Sequence, residues 1–85
     1  MKQFDHVVQS PEGIHARPAM QLAGFAKSLS GKVTVSCGGR TVSAKNLIQL
    51  LTLHAGRGAE VTFTVEGPEE IKETERLREF CRKNV

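Results

Sequence analysis

Val61, Phe63 and Val65 alternate with Thr62 and Thr64. This period of two puts three apolar side chains on one face of a strand and two hydroxyls on the other. A strand patterned this way needs a sheet with one face covered and one face wet, which antiparallel sheets provide. Two more segments repeat the pattern. Phe4, His6 and Val8 share a face of a first strand, and Val33, Val35 and Cys37 share a face of a second. Gly38-Gly39 then separates that second strand from Arg40-Thr41-Val42-Ser43, a two-residue hairpin signal because both glycines can take positive φ.

Helical patterns fill the gaps. Between Ala16 and Leu29, the side chains of Ala19, Leu22, Ala23, Ala26 and Leu29 form one apolar stripe, closed by Ser30-Gly31. A short helix is predicted over Leu47–Leu53, with Asn46 as N-cap and Gln49 placed as the return arm of a capping box. A last helix follows Gly67-Pro68. Glu69 and Glu70 suit its positive end, Arg82 and Lys83 its negative end. Thr74, Leu77 and Cys81 make its inner stripe, flanked by Ile71 and Phe80. The predicted order is β-α-β-β-α-β-α, a two-layer α+β domain over residues 1–85 with its helices on one sheet face.

Size sets the scale of any site. A chain of 85 residues buries only somewhat over ~60% of its unfolded surface, so a site should be a shallow surface feature. No apolar run is long enough to span a bilayer, and the first residues lack the pattern of a signal peptide. Cys37 and Cys81 show no metal spacing and read as reduced thiols, so a cytoplasmic protein is expected. The net charge of +3 is scattered, and Trp and Tyr are absent, which makes a base-stacking platform for nucleic acid hard to build. The charge suits acidic protein partners at least as well.

The three histidines read differently. His6 lies on the apolar face of its strand and reads as a packed structural residue. His54 follows the short helix and is placed to cap its last carbonyls. No two histidines stand at ligand spacing, so no metal site is expected.

His15 opens the first helix, in Gly13-Ile14-His15-Ala16-Arg17-Pro18-Ala19. With His15 as N-cap, Ala16 to Pro18 form the first turn, where an N–H would have no intrahelical partner and Pro18 is tolerated. The amides of Ala16 and Arg17 then point outward beside the imidazole. Together with the Arg17 guanidinium they make an anion site. Gly13 leaves room for a close approach. The positive end of a helix favours a neutral ring, whose lone pair can attack phosphorus. On spacing alone, the same residues also fit a plain helix start with a solvated arginine.

The segment Gly13 to Ala19 resembles the active-site motif of HPr, the histidine-containing phosphocarrier family of the bacterial phosphoenolpyruvate:sugar phosphotransferase system. The similarity runs along essentially the whole chain, through the Gly39 hairpin, Val42-Ser43-Ala44-Lys45, the Leu47–Leu53 helix and Gly58-Ala59-Glu60-Val61. It implies an open-faced β-sandwich, with four antiparallel strands and three helices on one side. It further implies that His15 accepts a phosphoryl group on Nδ1 from phosphorylated enzyme I and passes it to sugar-specific IIA domains. Arg17 would steady the group, with Ala16, Arg17 and Pro18 as the phosphate-binding turn. The carrier would be a monomer with no metal, organic cofactor or independent turnover.

The expected docking surface comes from two helices. Arg17, Met20, Gly24 and Lys27 share a face of the first helix turned away from its apolar stripe, so Met20 should be exposed. The second helix has more apolar residues than one core can take. Leu50 and Leu53 are assigned to the interior, and Leu47, Ile48 and Leu51 mainly to the surface, ringed by Lys27, Lys45 and Arg57. The resemblance supports this, since the family docks partners on the same two helices.

Three positions depart from the family. Asn46 stands where a serine phosphorylated by a dedicated kinase is usual, so that switch should be absent. Glu12 replaces a small neutral polar residue, and His54 replaces a glycine. These changes leave open a regulatory paralogue that acts by phosphorylation-dependent protein binding. An RNA-binding domain and a hydrolase using His15 as base are further alternatives. The first lacks aromatics, and the second lacks a nearby nucleophile or second acid.

Overall fold

A computed structural model describes residues 1–85. The chain runs β1 (Lys2–Val7), α1 (Ala16–Lys27), β2 (Lys32–Cys37), β3 (Arg40–Ser43), α2 (Leu47–Leu51), β4 (Glu60–Glu66) and α3 (Glu70–Asn84). The strands form one antiparallel sheet in the order β1-β4-β2-β3. This is the expected open-faced architecture of four strands and three helices.

The alternating segment is the heart of the sheet. Val61, Phe63 and Val65 are fully buried, and each such burial contributes about 1.5–3 kcal/mol. Phe63 faces Phe4 across the β1–β4 pair, and the two rings stack with centroids 5.2 Å apart. The other face stays polar. Gln3 Nε2 donates to Thr64 Oγ1 at 3.2 Å, and Thr62 Oγ1 donates to Asp5 Oδ1 at 2.8 Å. The β2–β3 hairpin closes through Gly38 and Gly39 at φ +57° and +84°, as the two-glycine signal predicted.

The helices cover the apolar face. Ala19, Leu22, Ala23 and Ala26 of α1 are all buried, as are Thr74, Leu77 and Cys81 of α3. Burial pushes the Cys81 thiol up to about 12, which keeps it an inert apolar side chain.

Several local expectations need correcting. The first helix stops at Lys27, because Ser28 closes it by donating its hydroxyl to Phe25 O at 2.6 Å. The second helix stops at Leu51 and Thr52 caps it. Asn46 does act as its N-cap, with Oδ1 accepting from Gln49 N at 3.1 Å. The return arm goes elsewhere: Gln49 Oε1 accepts from Ser43 N at 2.8 Å and fastens the helix to the end of β3. Ile71 does not flank a buried stripe, since it is 68% exposed. The inward position one turn into α3 belongs to Glu73, which is buried.

Candidate functional site

The site begins with two loops laid against each other. Ser10 to Gly13 make a turn, in which Gly13 N donates to Ser10 O at 2.9 Å. Ile14 N then donates to Ala55 O at 2.8 Å, joining the β1–α1 loop to the α2–β4 loop. Gly13 sits at φ +71°, and a Cβ there would lie 2.8 Å from Gly56 Cα. The predicted need for glycine is therefore real, but the group that approaches is the neighbouring loop. Ile14 is anchored in the core at 2% exposure.

His15 follows that anchor and is the N-cap of α1, with extended backbone at φ −151° and ψ 162°. Its side chain makes no capping hydrogen bond, and the residue is exposed. Ala16 then takes φ +50°, a left-handed conformation that costs a residue with a Cβ about 1–2 kcal/mol. It is held between buried Ile14 on one side and buried Pro18 and Ala19 on the other. The reversal leaves His15, Ala16 and Arg17 all exposed. The first amides of a helix have no intrahelical partner, and neither Ala16 N nor Arg17 N joins the loop and cap hydrogen bonds.

Arg17, Lys27 and Arg57 are exposed and enter no ion pair or side-chain hydrogen bond of the fold. Their charges are free for a ligand or partner. Pro18 stands in the first turn of α1 as expected, but its side chain is buried, and a proline has no N–H to offer. The polar groups left uncommitted at this helix start are thus the amides of Ala16 and Arg17 and the Arg17 guanidinium.

Beside His15 lies a shallow hollow of about 230 Å³, lined by Glu12, Ile14, His15, Leu51, His54, Ala55 and Gly56. The joined loops bring His54 and Glu12 to the same hollow as His15. His54 does not cap α2. It sits at φ +55° in the left-handed region, beyond the Thr52 cap, and its side chain makes no hydrogen bond within the fold. Glu12 is exposed and makes no ion pair with Arg17.

The neighbouring surface follows the expected pattern in part. Met20 and Ile48 are 63% and 69% exposed, on helices that pack together, and Gly24 and Lys27 are exposed on the same side of α1 as the sequence pattern requires. Leu50 and Leu53 are buried. Leu47 and Leu51 differ from expectation: both are half-buried and pack against the core. Lys45 also differs, because its Nζ donates to Leu29 O at 2.8 Å and ties the β3–α2 loop to the α1–β2 loop. Sequence pattern could not show this, since the acceptor is a backbone carbonyl in a loop.

His6 is the packed histidine expected of its strand. Burial holds its pKa below the ordinary histidine value, against a weaker opposing hydrogen bond with the Val85 carbonyl. Its Nε2 is buried without a partner.

The chain is similar to known proteins over nearly its whole length. Residues 2–83 match the family model described as the PTS HPr component phosphorylation site. The phosphocarrier protein HPr of Haemophilus influenzae is 37% identical over 73 residues, covering 86% of each chain. Among solved structures, HPr-C-His from Thermoanaerobacter tengcongensis superposes with a TM-score of 0.93 at 25% identity, covering 99% of this chain and 94% of that one. HPr from Bacillus anthracis superposes with a TM-score of 0.87 at 28% identity, covering 94% and 95% of the two chains.

Proposed function

Because the chain belongs to the HPr family of the phosphotransferase system, we propose that it carries a phosphoryl group on His15 between phosphorylated enzyme I and sugar-specific IIA domains. The observation that carries this reading is an exposed histidine at a helix start, beside two amides and one guanidinium that the fold leaves uncommitted.

That arrangement supports each step of the transfer. His15 Nδ1 attacks the phosphorus of a partner phosphohistidine. A new N–P bond forms as the partner's N–P bond breaks, and the electron pair returns to the partner's ring. The three phosphoryl oxygens meet the amides of Ala16 and Arg17 and the Arg17 side chain, which stabilise charge at a helix N-terminus. Reversal of the same step delivers the group to the next histidine. Met20 and Ile48 supply apolar contact area on α1 and α2, and Lys27 and Arg57 favour an acidic rim on the partner. The family resemblance implies a cytoplasmic carrier that acts as a monomer. No helix of the chain is long and apolar enough to cross a membrane.

Incubation with phosphoenolpyruvate and a general enzyme I, followed by intact-mass measurement, tests the reading. One acid-labile phosphate is expected, and it should vanish in His15→Ala. A label that persists in His15→Ala, or none in the wild type, would overturn it.

A further inference from the structure

His54 is held in a conformation that suits glycine, yet the fold makes no use of its side chain. Its φ of +55° is strained for a residue with a Cβ. The residue is exposed, and its ring neither fills core space nor accepts or donates a hydrogen bond. Backbone strain without a packing return points to a use outside folding.

Its surroundings suggest what that use is. The titratable groups lining the hollow are Glu12, His15 and His54; its other lining residues, Ile14, Leu51, Ala55 and Gly56, carry no charge. Glu12 enters no ion pair. A phosphoryl group on His15 would therefore face a carboxylate across a small space, and like charges repel. His54 is the one side chain lining the hollow, besides His15 itself, that can present an N–H donor to that group.

We propose that His54 donates a ring N–H to a phosphoryl oxygen on His15, offsetting the charge of Glu12. The contact rests on His15 being the phosphorylated residue. It makes His54 a second phosphate-binding side chain beside Arg17, supplied by the α2–β4 loop.

The test uses phosphoramidate, which phosphorylates histidine without any partner protein, and proton NMR of the full chain. The His54 ring should titrate about one pH unit higher once His15 is phosphorylated, roughly a tenfold gain in proton affinity. No such rise should follow reagent treatment of His15→Ala. The rise should survive in Glu12→Gln; its loss there would assign the carboxylate as the partner of His54 and overturn the proposal. An unmoved midpoint, or phosphorylation of His54 itself in place of a shift, would also overturn it.

With phosphoenolpyruvate and enzyme I, the equilibrium toward phosphoprotein should fall about fivefold in His54→Gly and recover in His54→Asn, which keeps an N–H donor and tolerates left-handed backbone. Glycine relieves the strain at this position, so unfolding would not account for the fall. Equal equilibria in all three proteins would overturn the contact. If enzyme I fails to label even the wild type, the carrier reading falls, while phosphoprotein made with the reagent still tests His54.

Discussion

The carboxylate of Glu73 accepts hydrogen bonds from both the amide and the hydroxyl of Ser30, at 2.7 and 2.9 Å. Its other oxygen accepts from Gly31 N at 3.0 Å. A charged side chain one turn into α3 thus secures the loop between α1 and β2. Burial alone would raise its pKa, but the Ser30 and Gly31 donors outweigh that and hold it below the ordinary carboxylate value.

Removing this clamp should be costly. Glu73→Ala leaves the Gly31 amide buried without its acceptor, and about 2–3 kcal/mol of stability should be lost in urea unfolding. Because the folded pKa is lowered, the contribution of Glu73 is present in full above roughly pH 4.5 and fades as pH falls through the folded value. Glu73→Gln should flatten that acid limb. An unchanged limb would show that other carboxylates set it.

His6 adds a second signature in the same direction, nearer neutral pH. Its folded pKa is lowered by burial, so the unfolded chain takes up the proton first as pH falls below about 6.5. Stability should therefore decline from that point down to the folded pKa. His6→Phe removes both the titration and the unpaired Nε2. Urea midpoints at about pH 7.5 and 5.5 should differ less in the variant than in the wild type.

Arg17 separates chemistry from folding. Its side chain is exposed and enters no ion pair of the fold, so Arg17→Ala should stay within about 0.5 kcal/mol of wild-type stability. Phosphoryl transfer from enzyme I should slow by at least about tenfold, read by quenched-flow kinetics. A large loss of stability would return Arg17 to a structural role.

Residues two apart on α2 should behave as different kinds of site. Leu50→Ala removes a fully buried side chain and should cost about 2–5 kcal/mol. Ile48→Asp changes an exposed one and should leave the melting temperature nearly unmoved while weakening enzyme I binding in calorimetry. If binding is unaffected, the docking surface lies elsewhere.

What could be read from residues alone follows a physical rule. Val61, Phe63 and Val65 announce their burial by local alternation, and Gly38-Gly39 its turn by two adjacent φ-permissive residues. His15 as N-cap is equally local. The hollow is not local, because it lies between two loops distant in sequence that backbone bonds such as Ile14 N to Ala55 O hold together. Glu73 and Lys45 were illegible for the same reason: their partners lie on distant turns and are mostly backbone groups, which leave no mark in side-chain pattern. Pro18 misleads because a first-turn proline is equally at home facing solvent or core.

The strand order has one more consequence, for synthesis. β4 lies between β1 and β2, so the first strand made has no neighbour until residues 60–66 leave the ribosome. Until then only the β2–β3 hairpin can close, and an isolated hairpin is marginal in water. The four-stranded sheet therefore cannot assemble before its fourth strand is made, and this non-local pairing slows folding.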